Sequence, residues 1–216
     1  MVGNAVDNNI VTISGKIVSG HEFSHEVYGE KFYIFHMDVP RLSDSYDRIP
    51  VTYSERLLPS ERLEIGTYVE IEGQYRSYNY MNNVGNKLFL TAFARDITFI
   101  ADIAEVKNPN SVYLNGFVCK PPIYRTTPFG REIADILLAV NRPYNKSDYI
   151  PCIVWGRNAR FCENLKVGDN LKIWGRIQSR EYVKKMPNGE MINKTAYEVS
   201  VSKLETAVEE NKNIEI

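Results

Sequence analysis

The stretch Asp148–Gly156, Asp-Tyr-Ile-Pro-Cys-Ile-Val-Trp-Gly, carries groups suited to holding a flat, charged polymer. Strand alternation puts Tyr149, Pro151, Ile153 and Trp155 on one face and Ile150, Cys152 and Val154 on the other. The second set is apolar and forms a core face. The first holds two rings that a core does not require. Cations flank them, Arg142 and Lys146 before and Arg157 and Arg160 after. A ring offers a π-face on which any base stacks, and a nearby cation neutralises phosphate. The combination is that of a platform for single-stranded nucleic acid.

Catalytic chemistry is harder to assemble from these residues. His21 and His25 lie four apart in a hairpin rather than a helix, with no Cys or third ligand beside them, and His36 sits on the next strand. There is no glycine-rich phosphate loop, no serine elbow and no calcium loop, and the carboxylates scatter over strand surfaces. The expectation is a binding protein rather than an enzyme, with no cofactor and no metal.

Elements that position the platform emerge from an internal repeat. Gly15, Gly29, Arg41 and Ile49-Pro50 recur as Gly116, Gly130, Arg142 and Ile150-Pro151, all 101 positions later. Gly66 and Gly73 recur as Gly168 and Gly175 at 102, and Thr91-Ala92-Phe93 matches Thr195-Ala196-Tyr197 at 104. A slowly drifting offset is what small loop insertions in a duplicated domain produce. Each copy predicts a first strand holding the early Gly, a hairpin turning near Gly29 or Gly130, and a long strand ending at Arg41 or Arg142. The third strand holds Ile-Pro. A short helix follows over Glu55–Leu63 or Arg157–Leu165, and then a fourth and a fifth strand joined by a hairpin. The hairpin signals are Asn82-Asn83-Val84-Gly85-Asn86 and Pro187-Asn188-Gly189.

This is the plan of an all-β protein of two tandem OB-folds, five-stranded Greek-key barrels with a helix between strands 3 and 4. The expected divisions are residues 1–104, 105–205 and a short tail, 206–216, with a break at Asn108-Pro109-Asn110 and a loose end at Met1–Asn9.

Length and composition agree with that plan. The 216 residues, 44% hydrophobic and 25% charged, suit two small soluble domains rather than a disordered chain. No apolar run is long enough to span a membrane and no leader pattern opens the chain, which predicts a cytoplasmic, nucleoid-associated protein with no membrane partner. Cys119, Cys152 and Cys162 are expected as reduced core residues, and the Asn-X-Ser/Thr patterns at Asn145 and Asn193 as coincidence. The net charge of −1 hides a split: nine basic against fourteen acidic side chains up to Ala104, but seventeen against thirteen beyond it. A polyanion should prefer the second half.

The second half resembles the bacterial single-stranded DNA-binding protein family over nearly its whole length. The carrying residues are Asn115-Gly116, Arg125–Arg131, Leu138–Tyr144, Asp148–Gly156, Lys166–Asp169, Gly175–Tyr182 and Tyr197-Glu198-Val199. The resemblance implies base stacking at Tyr144, Tyr149, Trp155 and Tyr182. Arg131, Arg142, Arg157, Arg176, Arg180 and Lys184 are then candidates for phosphate contact. Trp174 breaks from the face of Leu171 and Ile173, where it serves either DNA or a subunit contact. The partner implied is single-stranded DNA, in replication, recombination or repair. A homodimer giving four OB-folds, and replication or repair proteins as further partners, follow by analogy.

The first half departs from the family. Tyr144, Tyr149 and Trp155 map to Ser43, Arg48 and Ser54, while Tyr75, Tyr78 and Tyr80 with Arg76 form a cluster of their own. The first copy therefore either binds weakly through that cluster or serves assembly. The C-terminal residues are mildly acidic but lack the family's Pro-Phe tip. Two alternatives stay open: an OB adaptor of primosome type, in which protein contacts dominate, and single-stranded RNA binding.

Overall fold

The computed structural model describes residues 7–57, 62–82, 85–186 and 189–206. Outside them lie Met1–Val6, the middle of the first predicted helix, the tips of both long hairpins, and the tail from Ala207.

The first half contains β1 (Asn9–Ile17), β2 (Glu22–Val27), β3 (Glu30–Pro40), β4 (Tyr46–Ser54), β5 (Tyr68–Asn82) and β6 (Gly85–Phe99). A single 3-10 turn, Ile103–Glu105, leads to the second: β7 (Asn110–Val118), β8 (Ile123–Thr126), β9 (Glu132–Arg142), β10 (Lys146–Trp155), α1 (Arg157–Cys162), β11 (Asn170–Lys185) and β12 (Met191–Thr206). In the first half β1 pairs with β5, β5 with β6, β6 in parallel with β4, β4 with β3, and β3 returns to β1 at Lys16 and Ile17. The second half closes in the same order, through β7, β11, β12, β10 and β9. Each half is thus a five-stranded barrel of OB type, and β2 and β8 add a sixth, hairpin strand to the edges of β3 and β9.

Alternation fills each barrel. On β10, Asp148, Ile150, Cys152 and Val154 are buried while Tyr149 and Trp155 face out, as the period of two requires. The β2–β3 turn is made by Tyr28 and Gly29, both with positive φ, the geometry of a two-residue hairpin whose twist matches its strands. Helix α1 ends at Cys162, three residues short of Leu165, where the chain turns to bring Leu165 back to the core. Its predicted counterpart over Glu55–Leu63 begins as a turn at 55–57 and then leaves the described residues.

Barrel closure also corrects one register. Gly73 opposes Ala94 and Gly175 opposes Val201, so the last strands correspond at an offset of 107. Ala92 therefore matches Val199, not Ala196: Val51–Ala92 and Cys152–Val199 are the equivalent parallel pairs. The Thr-Ala-aromatic likeness read at 104 is a coincidence of strand composition. Gly175 itself lies against the facing strand, where an added Cβ would sit 2.2 Å from the Ser200 carbonyl oxygen. That backbone must shift to admit a methyl group, so Gly175→Ala should destabilise the fold by about 1–3 kcal/mol in urea unfolding.

Cys152 and Cys162 are buried and free, and burial pushes the Cys162 thiol up to about 11. Cys119 is free but only partly buried. It stands at the end of β7 and not in the core, where its thiol donates to the Leu137 carbonyl at 3.1 Å.

The two barrels are joined by strand pairing and by two buried acids. β1 and β7 pair antiparallel from Asn9–Leu114 to Ile13–Asn110, making a continuous sheet across the seam. Asp47, fully buried, accepts from the Ser179 backbone N–H at 2.6 Å, from Arg176 at 3.0 Å and from Arg41 at 2.8 Å. Asp148 is its counterpart. It accepts from the Ser77 N–H at 2.8 Å, with Arg142 at 3.4 Å and Arg76 at 4.0 Å. Each half thus sends one acid into the other.

Candidate nucleic-acid interface

Trp155 ends β10 on the outer face of the second barrel, 37% exposed. Its indole N–H donates to the Ser200 hydroxyl at 3.1 Å, which fixes the ring against β12. Beside it opens a groove of about 450 Å³ lined by Arg41, Arg131, Arg176, Gln178, Ser179, Arg180 and Ser200. Arg131 comes from the β8–β9 loop, Arg176 and Arg180 from alternate positions on β11. Four guanidiniums and one indole thus converge. Asp47 enters this charge cluster from below, held by Arg41 and Arg176.

The other predicted residues extend this face unevenly. Tyr149 lies four positions before Ile153 on the same side of β10 and is 42% exposed. Tyr182 follows Arg180 along β11, with the Arg180 guanidinium 5.8 Å from its ring centroid. Lys184 continues along the exposed arm. Tyr144 caps the β9–β10 turn with φ 63°, 93% exposed.

Three predicted residues stand apart. Arg142 is largely buried on Asp148, so its charge is already balanced inside the seam. Arg157 opens α1 and lines a different depression, with Asn158, Phe161, Leu204, Glu205 and Thr206. Trp174 precedes the Gly175 bend, in the part of β11 that pairs with β7. It packs on Tyr113 at 5.1 Å between centroids, with the Lys203 ammonium 4.5 Å over its ring. It does not line the groove.

Arg41 is the residue that sequence reasoning missed. It lies in the acidic half and its repeat partner is Arg142, so nothing local linked it to Trp155. Docking of the halves carries it into the neighbour's groove, where it also donates to the Ser179 carbonyl at 3.1 Å. Phe129, 92% exposed at the tip of the β8–β9 hairpin, is a second ring given no role from sequence.

The equivalent face of the first half is built differently. Ser54 stands for Trp155, Glu30 for Arg131, Gln74 for Arg176, Tyr78 for Arg180 and Phe93 for Ser200. The Glu30 carboxylate accepts from Ser54 and pairs with Arg56 at 3.3 Å. His25 stacks on Phe32 at 4.8 Å, Phe32 meets Phe93 at 5.7 Å, and Arg76 covers Phe93 at 5.2 Å. These rings satisfy one another. Tyr75 leaves the tyrosine cluster expected here, wholly buried in the barrel core; Tyr78 is partly buried, and the Tyr80 side chain is outside the described part. Burial holds the phenols of Tyr75 and Tyr78 above their ordinary range.

Comparison with known proteins agrees with this division. Residues 109–207 match the Single-strand binding protein family. A single-stranded DNA-binding protein of Halalkalibacterium halodurans is 40% identical over 80 residues, 34% of this chain and 48% of that protein. The chain spans about half the length of the curated relatives it matches. Among solved structures, a deletion mutant of the single-stranded DNA-binding protein from Thermus aquaticus superposes with a TM-score of 0.72 at 20% identity, covering 96% of this chain and 98% of that one. The fold is therefore shared along almost the whole chain. The N-terminal domain of PriB from Thermoanaerobacter tencongensis is 52% identical over 44% of this chain and all of its own, with a TM-score of 0.39. The likeness to the single-strand binding protein family thus lies in the second half of the chain, residues 109–207.

Proposed function

We propose that this chain binds single-stranded DNA without sequence preference, stacking bases on Trp155, Tyr149, Tyr182 and Tyr144 while Arg131, Arg176, Arg180 and Arg41 neutralise phosphates. The observation that carries this is a groove in which an anchored indole meets four guanidiniums. Stacking ignores base identity because every base has a π-face, and the cations track the backbone. The names of the curated relatives support DNA as the polymer. The role that follows is to coat exposed strands in replication, recombination or repair, and the chain acts as a pair of copies.

Titration of the protein with oligo-dT at rising salt tests the reading. Quenching of tryptophan fluorescence at low salt, with log affinity falling linearly in log salt, is the expected result. No quenching and no shift of a labelled oligo-dT at low salt would refute it. Arg41→Ala should reduce the salt slope by about 0.7, the share of one phosphate contact on a single strand. Arg142→Ala should leave the slope unchanged, because its side chain is only 17% exposed and does not line the groove.

A further inference from the structure

The order of strands begins with β2 and ends with β8, so each half contributes one free edge. Among the described residues β2 pairs only with β3, and β8 only with β9. Every second residue of such a strand turns its N–H and C=O away from the neighbour, where another strand could take them up.

The two edges are finished differently. β8 has four residues and exposes one large apolar side chain, Ile123. Its polar groups are satisfied within the hairpin: Tyr124 donates to Glu132, and Arg125 donates to Asp135 at 2.7 Å. β2 has six residues, with Phe23 60% and Val27 43% exposed and Tyr28 wholly exposed at the turn that follows. Phe23 is seated edge-on against Tyr33, 6.1 Å between centroids. Glu22 stands beside Phe23 and Glu26 beside Val27, both exposed, and among the described residues neither carboxylate forms an ion pair. The nearby Glu30 is already held by Arg56. Acids on an edge are an ordinary guard against pairing with its own kind. They do not account for three large apolar side chains left in water on the same hairpin.

We propose that β2 is a docking edge for another protein, which adds to the sheet an extended segment of alternating apolar and basic residues. The outward backbone groups supply the ladder, Phe23, Val27 and Tyr28 supply the apolar contact, and Glu22 and Glu26 select lysine or arginine. The same charges decide against the other occupants. Two acids repel a nucleic acid, and they repel the β2 edge of a second copy. The β8 edge of a second copy has no free cation to offer, because Arg125 is held by Asp135. The acidic first half thereby gains a task of its own, at a distance from the groove beside Trp155, and the proposal stands whether or not that groove takes DNA.

Fluorescence anisotropy of a labelled, end-blocked peptide alternating valine with lysine, about six residues long, tests this on the full chain. That peptide should bind and a valine–glutamate peptide should not. A valine–lysine peptide with a central proline should bind about tenfold more weakly or worse, since proline interrupts the added ladder. Hydrogen exchange at saturating valine–lysine peptide should slow the amides of β2. Glu22→Lys with Glu26→Lys should weaken the peptide by about tenfold or more while circular dichroism stays that of the folded chain. Equal binding of the proline peptide would reduce the contact to charge alone and overturn the proposal. So would the absence of any peptide binding, or protection that falls outside β2 in the wild type.

Discussion

Asp47→Ala is expected to lower the unfolding free energy by about 3–5 kcal/mol, the range for removing one member of a buried, hydrogen-bonded charge set. The carboxylate is fully buried and serves two guanidiniums and a backbone N–H from both halves. Without it the Ser179 N–H loses its acceptor within the seam. Arg41 and Arg176 remain about a third exposed and recover water in part, which favours the lower end of that range. Urea unfolding measures the loss. A change below 1 kcal/mol would mean that the seam is held without Asp47, by the β1–β7 ladder and Asp148.

Asp148 offers the contrast. Burial, its largest influence, raises its pKa above the ordinary 3.8 despite the Ser77 N–H and the two arginines, and its Oδ2 has no hydrogen-bond partner. The folded protein therefore holds this proton more tightly than the unfolded chain does. Stability from this group is fully present below 3.8 and is lost as pH rises through the raised folded value. Asp148→Asn should accordingly cost about 1 kcal/mol or less at neutral pH, and wild type should gain on that variant as pH is lowered.

Trp155→Ala is expected to weaken oligo-dT binding by about 5- to 150-fold, the equivalent of roughly 1–3 kcal/mol for one stacked base. The effect should fall on affinity with little change in salt slope, because a ring and not a charge is removed. Ser200 keeps its place on β12, so the barrel should melt as before. Anisotropy of a labelled short oligo-dT measures this without relying on the missing indole. An unchanged affinity would place the strand elsewhere than the groove beside Trp155. Arg131→Ala should show the opposite signature, a smaller loss with a shallower slope, since its charge lines the groove.

Much of this was legible in the chain itself. The alternation of β10, the glycines where strands approach closely and the paired Ile-Pro marks are local patterns, and they determined two barrels and the outward rings of Tyr149 and Trp155. Sequence also determined which half carries the positive charge. It misjudged Tyr75, because a ring beside Arg76 reads as a surface cluster until strand alternation is fixed by barrel closure.

Tertiary structure alone decided which cations are available. Arg41 and Arg142 occupy equivalent positions in the repeat, yet one lines the groove and the other is largely buried against Asp148. Their fates depend on the facing half, on whether it offers Trp155 and Arg131 or Ser54 and Glu30, and no local pattern contains that information. Residues a hundred positions apart became neighbours because β1 pairs with β7, and side-chain charge acts through distance in space rather than along the chain.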